Sequence, residues 1–94
     1  PWRTEVVREE PGHRVGAYVS AAYAAGQFHL AYYDESRGDL LYTIGRTGNW
    51  THYLVDAAGN VGTHTSIAVE ENGTVHIAYR DETNGDLKIA RGRP

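Results

Sequence analysis

The 94-residue sequence contains no cysteine and no methionine. Without cysteine there is no disulfide framework, no thiolate zinc site and no cysteine nucleophile. No apolar run approaches the roughly 18–20 residues of a membrane-spanning helix, and no signal-peptide hydrophobic region is present. No membrane partner is expected. The formal charge is only −3 and the arginines are scattered, which argues against a nucleic-acid footprint. A chain that opens at Pro1 without methionine is expected to be processed, released from a tag or cut from something larger. Helix signals are scarce as well, since no segment holds a 3.6-residue period beyond one or two turns. What the chain has in plenty is glycine, eleven residues, and tyrosine, seven. Its length suits one small domain, which buries only roughly 60–65 % of its unfolded surface.

An internal repeat organises the chain. His29–Leu40 (HLAYYDESRGDL) matches His76–Leu87 (HIAYRDETNGDL) at eight of twelve positions. Trp2/Trp50, Val7/Val55, Val15/Val61, Gly16/Gly62, Ser20/Ser66, Ala22/Ala68 and Gly26/Gly73 coincide at offsets of 46 to 48. The sequence is a tandem duplication, residues 1–49 and 50–94, of a unit of 47 residues or so.

Each unit reads as four short strands separated by turn signals. In the second unit strands are expected over 65–70, 74–80 and 87–91, while 50–56 is the fourth strand of the first unit. The first copy's turn, Ala24–Gln27, is one residue shorter than the second's, Glu70–Thr74. A two-residue turn in one and a three-residue turn with a glycine bulge in the other restore one register, Ala22 opposite His29 and Ala68 opposite His76. One face then carries Ala21, Tyr23, Phe28, Leu30 and Tyr32, matched by Ile67, Val69, Val75, Ile77 and Tyr79. The other carries Ser20, Ala22, His29 and Ala31, matched by Ser66, Ala68, His76 and Ala78. Neither face is dominated by charge, so both are expected to be buried, bulky face against small face.

Four-stranded units of this length, with Trp opening one strand and H-x-A-Y-x-D-x-x-x-G-D-L at the centre, resemble β-propeller blades of bacterial repeat proteins. The turns Ser36-Arg37-Gly38-Asp39 and Thr83-Asn84-Gly85-Asp86 lack the order of a sialidase Asp-box. The resemblance implies an all-β fold of two four-stranded antiparallel blades. It makes Trp2–Val7 an outer strand without a blade of its own, which completes a blade of a neighbouring chain. Two blades cannot close a propeller of about four to eight. A homotrimer or homotetramer is therefore expected, with a single eight-stranded β-sandwich as the competing architecture. Trp2, Val6 and Val7 are the residues expected to carry assembly.

The resemblance also places the crossing 56–63 and the hairpin loops 35–38 and 82–85 on one end, where propeller ligands usually bind. Ligand candidates there are Tyr18, Tyr33, Asp34, Asp39, His64, Arg80, Asp81 and Asp86. The Asp34/Asp39 and Asp81/Asp86 pairs bracket Gly turns; they offer too few ligands for calcium and are read as turn-forming. His29 and His76 lie beside Ser20 and Ser66 but, repeated on a face expected to be buried, are read as hydrogen-bonded structural histidines. His64, whose counterpart is Tyr18, is placed near the channel mouth, with no metal-spacing motif to support it. Arg37-Gly38-Asp39 spells an adhesion tripeptide, but Asn84-Gly85-Asp86 in the second copy explains its Gly-Asp by turn chemistry. The sequons at Asn49 and Asn72 carry little weight.

Trp2 and Trp50 are expected in the inter-blade core. No nucleophile, base and acid share one accessible end, so no catalysis, metal or cofactor is expected. The expected role is a self-assembling scaffold or binding module, with a glycan-binding lectin as the alternative. The start at a unit boundary also fits an excised or engineered fragment.

Overall fold

A computed structural model describes residues 1–94. Seven strands follow in chain order: β1 Val15–Ala24, β2 Gln27–Asp34, β3 Asp39–Arg46, β4 Asn49–Asp56, β5 Val61–Val69, β6 Val75–Asp81 and β7 Asp86–Gly92. They form two antiparallel meanders, β1-β2-β3-β4 and β5-β6-β7, and there is no helix. The all-β expectation holds at this level.

The two hairpin turns differ as their sequences require. Ala25 and Gly26 both take positive φ, 52° and 77°, the combination that a two-residue hairpin turn needs. In the longer turn the Gly73 amide donates to Glu70 O and the Glu70 amide to Thr74 O, both at 2.9 Å, with Gly73 at φ 90°. The registers nevertheless agree: Ala22 faces His29, and Ala68 faces His76. Both first strands also lose register at the same place, around Gly16 (φ 102°) and Gly62 (φ 108°). The alternation in the sequence predicts the second of these strands from Thr65. It begins at Val61, ahead of that bulge.

The core lies between the sheets. Ala31, Leu40 and Tyr42 of the first sheet, with Ile44 beside them, meet Val61, Val75, Ile77 and Tyr79 of the second. Ile67, Val69 and Ala90 pack onto the same cluster. The small face of the first sheet thus receives the bulky face of the second, as the alternation predicts. Polar contacts cross the same seam. Asp56 Oδ2 accepts from Tyr79 Oη at 2.6 Å and from Lys88 Nζ at 2.7 Å, and Ser20 and Thr65 hydroxyls meet at 3.0 Å. Burial alone would raise the Asp56 carboxyl, but the Lys88 and Tyr79 bonds outweigh it and hold the group below its ordinary value.

The other two faces are open. On the first sheet Val19, Tyr23 and Phe28 of the bulky face reach solvent. On the second, Ser66 and Ala68 of the small face are exposed, as are Leu87 at 84 % and Ile89.

Residues 1–14 form no strand. They lie along the first sheet's bulky face, where Val7 lines a shallow recess with Val19, Leu30 and Tyr32. Glu5 accepts from the Gly48 amide at 3.2 Å and Trp50 Nε1 at 3.4 Å; Arg8 donates to Tyr32 Oη at 3.4 Å. Glu10 pairs with Arg37 at 2.7 Å. Trp2–Val7 is therefore not a strand in the single chain, where the place beside β3 that the repeat assigns to such a segment is taken by the chain's own β4. Trp2, expected in the core, is 99 % exposed for the same reason.

Candidate functional site

The loop end is assembled as the sequence suggests. The crossing between the sheets touches both hairpin loops: the Val61 amide donates to Gly38 O at 3.0 Å and the Glu82 amide to Asn60 O at 2.9 Å. Asp34 is fully buried, and its Oδ1 accepts the Ser36 and Arg37 amides at 2.9 and 3.1 Å. Asp81 does the same for the Asn84 amide at 3.1 Å and takes the Asn84 side chain at 2.9 Å. The Asn84 bonds hold the Asp81 carboxyl low. Both carboxylates are therefore spent on turn geometry. Asp39 lies opposite Asp34 and Asp86 opposite Asp81. Burial, then the Asp34 charge, raises the Asp39 carboxyl. The Arg37-Gly38-Asp39 tip is tied down, since Arg37 is bound by Glu10 and Asp34.

Tyr18, Tyr33 and His64 come together. The Tyr18 and His64 rings are 4.5 Å apart and Tyr33 meets Tyr18 edge-on at 6.0 Å. The Tyr33 hydroxyl donates to Asn60, and burial raises its pKa. Tyr18 and His64 both hold left-handed backbone, φ 52° and 54°, which turns each side chain out of the ladder at the bulge. Arg80 lies beside His64 but is paired with Glu82 at 2.5 Å. The candidate list thus resolves into one aromatic cluster and two separate acidic turns.

His29 and His76 are each held by a neighbouring polar side chain. His29 is only 4 % exposed and its Nδ1 lies 2.7 Å from the Tyr42 hydroxyl. Burial lowers the His29 pKa, opposed by a bond with the Ala24 backbone, and pushes Tyr42 up to about 12. Ser20 turns to Thr65 instead of His29, so no Ser–His pair forms there. His76, half-buried, binds Glu70 at 2.7 Å. A neutral His29 contributes stability that is complete above the ordinary histidine pKa near 6.5 and is lost as pH falls. The melting temperature is expected to drop as the pH falls below about 6.5. His29→Gln, which keeps a hydrogen-bonding group without the titration, should flatten that slope; equal slopes would remove His29 as its source.

Two residues central to the seam were missed. Asp56 locks Tyr79 and Lys88, and Thr65 donates to Ala31 O at 3.2 Å. Asp56 corresponds to Arg8 in the repeat, so matching the copies gave it no weight.

The β7 edge is the remaining feature. Gly45 lies opposite Trp50 of β4, and a Cβ there would sit 2.1 Å from Asn49 O. Its counterpart Gly92 has nothing within 4 Å, because no strand lies beyond β7. In comparisons with protein-family models, curated proteins and solved structures, the chain finds no significant match in any of the three.

Proposed function

We propose that the chain is a non-catalytic scaffold that assembles with copies of itself into a closed β-propeller ring. Three or four chains would give about six or eight blades, each sheet being one blade. The observation that carries this reading is the pair of open faces. The chain joins a small face to a bulky face internally, and it leaves one of each open over much of its area. The second sheet's small face, with Ala68, Leu87 and Ile89, suits the first sheet's Tyr23, Phe28 and Leu30 as Ala31 and Tyr42 suit Ile77 and Val75.

A contact between unlike faces is head-to-tail, and it closes into a ring when the rotation per chain divides the circle. Exposed apolar faces and an open strand edge are liabilities that such closure removes. The paired arrangement of Arg8 with Tyr32 and Asp56 with Tyr79 supports the same geometry. Each residue ends an outer segment and reaches the equivalent tyrosine of the following sheet. Residues 1–8 therefore lie on the first sheet as an outer strand of a preceding blade would.

Light scattering during size exclusion tests the reading. A mass of three or four times the 10.4 kDa chain is expected. A folded monomer at micromolar concentration would overturn it and leave glycan binding at the Tyr18–His64 rings as the surviving reading.

A further inference from the structure

A cavity of about 250 Å³ opens between the outer parts of the two sheets. Tyr42 and Tyr53 of the first sheet line one side; Val75, Ala90 and Gly92 of the second line the other. We infer that this cavity is the socket for Trp2 of a second copy of the chain, which enters it as the anchor of the joint between chains. The inference rests on the ring reading and names the residue that locks it.

The first sheet holds the filled version of the same socket. Phe28, Gly45 and Trp50 lie side by side across β2, β3 and β4. The Trp50 ring lies 6.3 Å from Phe28, with the glycine between them leaving the space clear. In the second sheet Val75 and Gly92 are the corresponding neighbours across β6 and β7, and the third member of the row is missing. The repeat assigns that place to the counterpart of Trp50, which is Trp2. Within its own chain Trp2 touches nothing that hides it, being 99 % exposed.

Alternation along the segment supplies a second argument. Glu5 and Val7 contact the first sheet, while Trp2 and Val6 are exposed. In an extended strand residues of even and odd number point to opposite sides. Residues 2–7 can then pair with a neighbour's β7 without leaving their own sheet: Val7 stays where it is, and Trp2 and Val6 turn to the neighbour's bulky face. No intramolecular contact has to break for the joint to form. A large aromatic side chain seated in a desolvated pocket is the usual energetic centre of an interface.

Two full-length variants test this. Trp2→Ala removes the anchor and leaves the socket; Gly92→Val fills the socket and leaves the anchor. A Cβ at Gly92 has no neighbour within 4 Å and the cavity beside it has room for the two methyl groups, so the single chain should still fold. Each variant alone is expected to run as a monomer. An equimolar mixture holds one intact joint, Trp2 of the Gly92→Val chain in the socket of the Trp2→Ala chain, and should give a one-to-one heterodimer. If the unaltered chain forms rings and Trp2→Ala does so equally well, the socket assignment is overturned while the ring stands. A mixture that stays monomeric overturns it too. A monomeric unaltered chain overturns the ring itself.

Discussion

Replacing Gly45 with alanine is expected to lower folding stability by about 4 kcal/mol or more, one of the largest losses a single methyl group can cause. The new Cβ would sit 2.1 Å from Asn49 O and 3.0 Å from Trp50 Cα. Both are backbone atoms of β4, so no rotamer change relieves the overlap; the β3–β4 hairpin has to open. The φ of 153° adds backbone strain that a residue with a side chain rarely accepts. A domain of this size has only about 5–14 kcal/mol in hand. Urea titration followed by circular dichroism should show a clearly lower midpoint, and an unchanged midpoint would mean that the strand approach is wrong. Gly92→Ala, at the same repeat position on the open edge, is the control and should leave the midpoint of the monomeric Trp2→Ala chain where it was.

Leu40→Ala is the second large effect, with an expected cost of about 2–5 kcal/mol. Leu40 is completely buried at the start of β3, between the sheets, and Gly62 of the crossing strand packs onto its backbone. Truncation leaves a cavity that this close approach cannot collapse. Leu87 occupies the equivalent position in the second unit and is 84 % exposed. Leu87→Ala should therefore change the unfolding midpoint of the single chain by no more than about 0.5 kcal/mol. Comparable losses at both positions in urea titrations of the monomeric Trp2→Ala chain would contradict the different burial of the two copies.

The register, the bulky and small faces and the order of packing were all legible in the sequence because two copies constrain each other. A one-residue slip in either hairpin would have put His29 and His76 on different faces, and the turn lengths rule that out. Other features left no such trace. Left-handed backbone at Tyr18 and His64 has no composition signal, since neither is glycine or asparagine; Gly16 and Gly62 nearby were the only hint. The Asp56 lock and the Ser20–Thr65 contact arise between unlike positions of the two units, where aligning like with like finds nothing. The aspartate turns were read correctly because their chemistry is local, within three residues of each carboxylate.

The sequence repeat and the sheet do not share a boundary. A unit of sequence begins at Trp50, whereas the second sheet begins at Val61, so the second unit opens with a strand that belongs to the first sheet. This phase difference leaves the molecule with unlike ends, an opening segment outside any sheet at one terminus and a vacant edge along β7 at the other. In the proposed propeller, a further unit joined in series would fill the vacancy at β7 with its own opening segment and recreate the vacancy one sheet later. Gene duplication can then lengthen the array without inventing a new joint, and the last joint to form is always of the kind that the first pair of units already had.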